Sequence, residues 1–424
     1  MTKSDINEEM ETKKTKLLDY IKKFSFPRLA GTEGEKKAVT LTIQTFKNLG
    51  YEDDQINLQK FTFSTFYSEE LIKIIGFMNI IIILTLLFFK YIYPFLVIFT
   101  IIIIVLAFFS MIKVLKHPEL KGFWERHFGT FIDSTNVFIK RPAKNTNSEE
   151  VGNIIISAHL DSKSQTFKTE WRVVFFSIWE IGILIWIILF AGFLIDLYFN
   201  VFKVLLLVLE ISLIITSGLV IFSIIMIISI KTDNKSSGAV DNASGMAIVF
   251  ELSSYFKIRP LENFNLWFCQ FSAEEIGTMG SRIFLDEYKD NFLHALSFQI
   301  NFDMISYINH KRKVEFIKSY GFLSRKKSSK ILISQIHDIA KEKDFEVDGH
   351  TLLSGGHTDS VPFHLLKLKT IDFSTPLAAK YSHTINDKPD ILEPQVLLNT
   401  VNLVKILVEK LDNSYHNLLK DFHL

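Results

Sequence analysis

Two polar loops with metal-ligand character are separated in this chain by two long apolar runs. The first loop, NIIISAHLDS, spans residues 153–162, and the second, SGAVDNASG, spans residues 237–245. The apolar runs between them cover residues 173–195 and 204–230. Each run is close to the roughly 20 residues that a helix needs to cross a hydrocarbon core of about 30 Å. We therefore expect a membrane hairpin inserted into a loop that carries a metal site.

A second apolar pair lies nearer the N-terminus. Residues 71–89 contain Lys73 as their one charge, and residues 91–112 contain none. The short KYIYP turn between them places Tyr91 and Tyr93 where interfacial aromatic residues are expected. We therefore predict four spans in two hairpins, with a buried core hairpin as the alternative.

Composition supports this prediction and excludes some functions. Hydrophobic residues make up 48% of the 424 residues, and this excess is concentrated in the four runs. The net charge is +1 with both signs interspersed, so we expect no nucleic-acid partner. Cys269 is the single cysteine, which excludes an internal disulfide framework. The polar N-terminus predicts no secretory signal peptide.

Outside the apolar runs, helix and strand signals alternate. Helices are predicted over residues 8–25, 35–49, 241–255, 280–288, 327–343 and 396–411, and strands over 56–66, 136–140, 152–158, 264–271, 295–302 and 369–373. This alternation predicts an α/β fold with a mixed, mostly parallel central sheet flanked by helices. The expected organisation is one peptidase domain made of residues 1–69, 114–172 and 231–424, with transmembrane hairpins at 70–113 and 173–230.

Candidate site residues recur at successive strand ends, where α/β folds place their sites. They are His159, Asp161, Asp241, Glu274, Glu275, Asp303 and His383. Each has a structural alternative when taken alone: an Asp before a helix, for example, is often an N-cap. Their recurrence at several strand ends favours a common site.

The residue types point to metal chemistry. Mixed His and carboxylate ligands favour zinc over magnesium or calcium. Two His and three carboxylates are more than one catalytic zinc requires, and suit two ions about 3.5–4 Å apart that share a carboxylate. Side chains of adjacent residues diverge, so one Glu of a pair can bind metal while the other acts as a base.

The motifs resemble the di-zinc aminopeptidase family of zinc peptidase clan MH, which includes aminopeptidase Y, bacterial leucyl aminopeptidases and glutamate carboxypeptidase II. AHLDS, GAVDNASG, SAEEIGTMGS, NFDMIS and YSHTINDKPD occur in the family's order, and FPRLAGTEGEKKAV and GHTDSVPF resemble further family segments. The likeness covers roughly residues 14–66 and 128–411 and leaves out both hydrophobic pairs.

The resemblance implies a role for each site residue. Two Zn²⁺ ions would be held by His159, Asp241 as the bridge, Glu275, Asp303 and His383. Asp161 would orient His159, and Glu274 would be the general base. The implied activity is hydrolysis of peptides by a zinc-bound water, with an aminopeptidase expected first. The metal ligands leave amino-, carboxy- and endopeptidase specificity open.

The chain also departs from the family's pattern. His159 and Asp241 are 82 positions apart, whereas about a dozen is usual in the family. Ser382 replaces the Tyr that precedes the last His ligand in several members, and Tyr381 lies one position further back. The loop at residues 358–360 reads Thr-Asp-Ser where members often read Ser-Asp-His.

Charge distribution gives a prediction of topology. Two hairpins place both termini and the peptidase domain on one side of a lipid bilayer. Roughly ten Lys and Arg residues lie near the spans on that side, against Lys90 and Lys203 in the far turns, which favours the cytoplasm. Glu180 and Glu210 within the spans sit at different depths, so we expect them not to pair. We hypothesise membrane-proximal or apolar peptides as substrates.

Other functions remain as alternatives. A catalytically inactive peptidase fold could serve as a membrane scaffold, although every ligand position here is filled. A glutaminyl-cyclase-like acyltransferase on the same fold would form pyroglutamate instead of releasing amino acids. A transporter is disfavoured, since it leaves the large polar domain without a role.

Overall fold

The computed structural model describes residues 3–89, 99, 101–103, 106, 117–120, 122–145, 151–199, 205–293, 295–308, 312–320, 326–352 and 356–422. These form two compact units. The first contains Met1–Phe63, Ile132–Thr169 and Thr232–Leu424, and the second contains Ser64–Phe131 and Glu170–Lys231. Most of the predicted span at 91–112 lies outside the described residues.

Regular elements follow one another along the described chain. The helices are α1 Lys3–Phe24, α2 Glu33–Asn48, α3 Glu70–Phe89, α4 Phe123–Phe128, α5 Thr169–Phe199, α6 Leu205–Ile228, α7 Ser244–Lys257, α8 Met279–Leu293, α9 Lys330–Lys343, α10 Ser360–Leu365, α11 Pro394–Asn413 and α12 Tyr415–Phe422. The strands are β1 Ile56–Ser64, β2 Phe131–Arg141, β3 Gly152–His159, β4 Ser164–Gln165, β5 Thr232–Asp233, β6 Phe264–Phe271, β7 Ser297–Phe302, β8 Val314–Tyr320, β9 Lys326–Lys327, β10 Val347–Leu352 and β11 Lys369–Phe373.

A nine-stranded mixed sheet forms the centre of the described first unit. Its order is β1-β2-β6-β3-β7-β11-β8-β10, and β9 pairs with β8. The four central strands β6, β3, β7 and β11 are parallel neighbours, while β2 runs antiparallel to β6 and β8 antiparallel to β11. Every residue of β3 is buried, as expected for a strand covered on both faces. The predicted mixed, mostly parallel α/β fold is confirmed.

Element boundaries differ from the sequence prediction at the second polar loop. The helix expected to begin at Asp241 begins at Ser244, because Asp241 has φ −115° and ψ 84°, which are not helical. Asp241 is therefore part of a loop and not of a helical turn. Glycine allows α7 to start close to the sheet: a Cβ on Gly245 would lie 2.6 Å from the carbonyl oxygen of Phe302 at the end of β7.

Three strands of the sheet, β8, β9 and β10, were not predicted from the sequence. β8 and β10 form the edge of the sheet opposite β1 and pair with each other in parallel. β10 reads VDGHTL and is largely half-buried, so it lacks the continuous apolar run of β3 or the clear alternation of a half-buried strand. β10 forms because it pairs with β8, although its own sequence is only weakly typical of a strand.

The second unit is built mainly of apolar helices. Three described helical stretches are long and apolar enough to cross a membrane by length and composition: Thr65–Phe89, Thr169–Phe199 and Leu206–Ile228. Polar atoms within this unit find partners between helices, since the indole of Trp186 donates to Ser217 Oγ at 2.7 Å and Ser223 Oγ donates to the carbonyl of Phe175 at 2.6 Å. Such interhelical bonds suit packing in lipid.

Candidate metal centre

The central parallel strands bring most of the predicted site residues to one edge of the sheet. His159 is the last residue of β3, and Asp303 directly follows β7. Glu274 and Glu275 lie shortly after the end of β6. Because β6, β3 and β7 are parallel neighbours, their carboxyl ends meet at the same edge.

Five predicted ligand residues form two groups that share Asp241. In the first group, His159 Nε2 lies 3.1 Å from Asp241 Oδ1 and 3.5 Å from Asp303 Oδ1. In the second, His383 Nε2 lies 3.2 Å from Asp241 Oδ2 and 2.9 Å from Glu275 Oε2. Within each group the possible ligand atoms lie within 4.8 Å of one another, and all five residues are buried. Asp241 offers a different oxygen to each group.

The donor set fits two cations. Among the described residues, His159 Nε2 and Glu275 Oε1 are buried and have no hydrogen-bond partner. Buried polar atoms without partners are costly, and a cation in each of the two groups would satisfy one of these atoms. Imidazole nitrogens combined with carboxylate oxygens are the ligands that zinc takes in catalytic sites.

Electrostatics in the first group depend on the close approach of His and Asp. Burial alone would lower the pKa of His159, but Asp161, Asp241 and Asp303 raise it well above its ordinary value. Burial would likewise raise the pKa of Asp241, but His159 and His383 hold it far below its usual range. Burial raises the pKa of Asp303 to about 6, against the attraction of His159.

The second group includes a lysine close to its carboxylate. Lys163 Nζ lies 2.9 Å from Glu275 Oε2 and donates to the backbone carbonyl of Glu275 at 3.0 Å. Burial alone would raise the pKa of Glu275, but His383 and Lys163 lower it to about 2. No sequence motif indicated a role for Lys163, which directly follows the first polar loop and lies two positions after Asp161.

Asp161 connects His159 to the glutamate loop. His159 Nδ1 is 3.1 Å from the backbone carbonyl oxygen of Asp161 and 3.5 Å from its carboxylate oxygen Oδ1. The carboxylate itself accepts the backbone N–H groups of Glu274 and Glu275, each at 3.1 Å. Asp161 therefore contacts the imidazole through its main chain and fixes the two adjacent glutamates through its side chain.

Glu274 and Glu275 differ in surroundings, although they are adjacent and both buried. Glu275 belongs to the second ligand group, whereas Glu274 is in neither group found among the described residues. Burial raises the pKa of Glu274 well above its ordinary value, partly offset by His159. The neutral form of Glu274 is therefore favoured by its surroundings, whereas the charged form of Glu275 is favoured by its own.

Arg28 joins the two polar loops. This fully buried side chain donates from Nε to the carbonyl of Leu160 at 2.6 Å, from Nη1 to that of Ser237 at 2.7 Å, and from Nη2 to that of Gly238 at 2.8 Å. Burial lowers the pKa of Arg28 to about 10, although several carboxylates oppose this shift. The motif FPRLAG contains Arg28, but no local pattern indicates these partners.

Asp387 fixes the backbone of the shared ligand. Its carboxylate accepts the N–H of Val240 at 2.6 Å and that of Asp241 at 3.2 Å. Burial raises the pKa of Asp387 to about 7. Asp387 lies four positions after His383 in YSHTINDKPD, so the segment that carries one ligand also orients another.

A short two-stranded ribbon joins the two ends of the stretch that contains the inserted apolar sequence. β4 and β5 are antiparallel, with Ser164 opposite Asp233 and Gln165 opposite Thr232. Ser164 Oγ also accepts the backbone N–H of Lys235 at 2.9 Å. The chain therefore leaves and returns at adjacent positions, which explains how ligands 82 positions apart, His159 and Asp241, lie together.

Comparisons with known proteins agree with this site. Residues 226–408 match the sequence model of Peptidase family M28, a segment that begins after His159. Aminopeptidase YwaD of Bacillus subtilis (strain 168) is 26% identical over 178 residues, which cover 41% of this chain and 37% of that protein. The match thus spans little more than a third of that relative.

Solved structures show the same fold. BSAP, a zinc aminopeptidase from Bacillus subtilis, aligns with a TM-score of 0.52 at 14% identity over 94% of both chains. A glutaminyl cyclase from an Acidobacteriales bacterium aligns with a TM-score of 0.51 at 12% identity over 95% of both chains. The fold is that of the zinc aminopeptidases. The similarity of residues 226–408 to Peptidase family M28 confirms the resemblance inferred from the motifs.

Proposed function

We propose that this protein is a membrane-anchored di-zinc peptidase, and in the first instance an aminopeptidase. The observation that carries the proposal is the pair of ligand groups that meet at Asp241, with the buried carboxyl of Glu274 beside them. Two bound Zn²⁺ ions would lower the pKa of a water and polarise a carbonyl oxygen. The name of the matched relative, an aminopeptidase, supports the same activity.

Residues of the chain would bind the two ions and transfer the proton during hydrolysis. His159 and Asp303 would hold one ion, Glu275 and His383 would hold the other, and Asp241 would serve both groups. Glu274 accepts a proton from the water that attacks the scissile carbonyl, and delivers it to the nitrogen of the leaving amine. This task needs a carboxyl whose proton affinity is raised by burial, as that of Glu274 is.

Replacing the proposed base tests this mechanism. Glu274→Gln should lower turnover by about 10²–10⁴-fold, the usual contribution of general acid–base catalysis, and should leave zinc content near two per chain. Full-length protein in detergent would be assayed for zinc and for hydrolysis of aminoacyl-anilides and dipeptides. Glu342→Gln, an exposed glutamate on α9, is the matched control.

The possible results of these assays distinguish the proposed mechanism from each alternative function. Normal turnover in Glu274→Gln would rule out the assigned base. Wild-type protein that binds no zinc and cleaves nothing would indicate a membrane scaffold. Release of pyroglutamate from glutaminyl peptides, without free amino acids from the panel, would indicate an acyltransferase of the glutaminyl-cyclase kind.

We also propose that the apolar helices anchor the protein in a bilayer with the metal-binding unit in the cytoplasm. Three described helices of sufficient length and apolarity support anchoring, and the excess of Lys and Arg near the spans supports the side. In closed vesicles with the cytoplasmic face outward, added protease should therefore digest the metal-binding unit. If the metal-binding unit is protected from protease until detergent is added, it lies on the opposite side of the membrane from the cytoplasm.

Peptides that are apolar or close to the membrane are the proposed substrates. The chain leaves the metal-binding unit after Thr169, ten positions after His159, which supports this proposal. A chain lacking residues 173–230 should lose its preference for such peptides more than it loses hydrolysis of short soluble ones. Full activity with an unchanged preference in detergent-free solution would reduce the segment to a tether.

A further inference from the structure

The ring nitrogen of His383 that faces away from the second ligand group contacts a hydroxyl in the stretch that leads into the inserted segment. Thr169 Oγ1 lies 3.0 Å from His383 Nδ1 and 3.0 Å from Ser382 Oγ. Thr169 is the last residue of the first unit and the first residue of α5, and its side chain is buried. It lies beyond the β4–β5 ribbon, in the stretch that leads into the apolar helix.

The chain of hydrogen bonds that leads away from His383 ends at a backbone carbonyl, which can accept a hydrogen bond but cannot donate one. Ser382 Oγ donates to the backbone carbonyl of Ala379 at 3.3 Å, which uses its single proton. Thr169 then donates its own proton to Ser382 Oγ, because Ser382 has none left to give. The hydroxyl oxygen of Thr169 is thereby left to accept the N–H of His383 at Nδ1.

This direction fixes the tautomer of His383. With the proton on Nδ1, Nε2 carries a lone pair and faces the carboxylates of Asp241 at 3.2 Å and Glu275 at 2.9 Å. A lone pair that faces two carboxylates is favourable when a cation lies between them. Metal-binding His residues commonly donate their other N–H to a protein acceptor, which fixes the tautomer and the ring orientation.

We propose that Thr169 is a positioning residue for His383, so that the stretch leading into the inserted segment supplies part of the second metal position. The inference rests on the metal site proposed above and assigns a role to a residue that the peptidase motifs do not include. The backbone of the same stretch contributes as well, because the N–H of Gln165 donates to the carbonyl of His383 at 3.1 Å. Ring and main chain of His383 are thus both held from the side where the insertion begins.

Thr169→Val tests this role because it replaces the hydroxyl by a methyl group of similar size. Full-length protein loaded with zinc would be titrated with a competing chelator, and the zinc retained per chain would be measured. We expect one of the two ions to be lost at about 10–100-fold lower chelator strength than in wild type, the usual effect of removing such a partner. Thr169→Ser should restore wild-type retention, since it keeps the hydroxyl.

Two further variants keep the result interpretable. Thr232→Val makes the same substitution at an exposed position on the other strand of the ribbon and should retain zinc as wild type does. Ser382→Ala removes the acceptor of the Thr169 proton and should weaken retention of the same ion by a smaller factor. It provides the test if Thr169→Val does not fold.

The outcomes separate this inference from the proposed function. Wild-type retention of both ions in Thr169→Val, or in Ser382→Ala where Thr169→Val does not fold, would overturn the role of Thr169 and leave the peptidase proposal standing. Equal loss in the Val and Ser variants would also overturn it, because the hydroxyl would then not be the cause. Wild-type protein that holds no zinc would instead contradict the proposed function.

Discussion

The two ligand groups share Asp241 but are built differently. The first takes His159 and Asp303 from the ends of neighbouring parallel strands, β3 and β7. The second takes Glu275 and His383 from loops. Its surroundings also include side chains from the stretch where the insertion begins, namely Lys163 beside the carboxylate and Thr169 beside the imidazole.

This difference shows which part of the centre the insertion can influence. The imidazole of His159 is held by a main-chain carbonyl, a contact that no side-chain substitution removes directly. The imidazole of His383 is held by the hydroxyl of Thr169, and the carboxylate of Glu275 by the ammonium of Lys163. We therefore expect changes between the ribbon and α5 to alter the second metal position and to spare the first.

The shared carboxylate provides the largest test of the comparison. Asp241→Asn should remove both ions, because each group loses an anionic ligand at once, whereas Asp303→Asn and His383→Gln should each remove one. Turnover should fall by a factor of at least about 10³, equivalent to about 4 kcal/mol of transition-state stabilisation. Zinc content per chain and kcat/KM for an aminoacyl-anilide are the measurements.

Asp338→Asn, an exposed aspartate on α9, is the matched control for Asp241→Asn and should keep two ions. Full occupancy of one position in Asp241→Asn would show that one group binds metal without the shared carboxylate. In that case the centre would consist of two separate metal sites, and Asp241 would not be a ligand that both sites need.

Sequence patterns predicted the parts of the centre that follow directly from strand ends. The buried run of β3 and the strand at 264–271 have strong local signals, so their parallel pairing placed His159 and the two glutamates at one edge. The likeness of short motifs to a known family added Asp241 and His383. The central sheet could be predicted for the same reason, while β8 and β10 at its edge depend on pairing with each other more than on their own composition.

Contacts between distant segments could not be predicted in this way. Arg28 bonds to the carbonyl of Gly238, and Asp387 to the backbone N–H of Asp241, because the fold closes over them and not because of any local pattern. The same holds for Thr169, which in the sequence is one of several polar residues before an apolar run. Motifs indicate which residues can bind a metal, whereas the partners that orient those residues are set by packing.

Lys163 provides the finest test of the difference between the two groups. Its ammonium lies 2.9 Å from Glu275 Oε2 and therefore opposes a divalent cation at the second position. Lys163→Met keeps most of the side-chain volume and removes the charge. We expect zinc at the second position to be retained against about tenfold stronger chelator, a shift of about 1.4 kcal/mol, while the first position stays as in wild type.

Lys163→Arg keeps the charge and should resemble wild type, and Lys168→Met at a nearby exposed position should have no effect on either ion. The sign of the Lys163→Met effect decides between two roles for this ammonium. Stronger retention means that the charge of Lys163 repels the ion. Weaker retention would mean that Lys163 holds Glu275 in place by contacting the carboxylate and the backbone carbonyl of Glu275. Lys163 and Thr169 would then both stabilise the second metal position, since weaker retention is also the result expected for Thr169→Val.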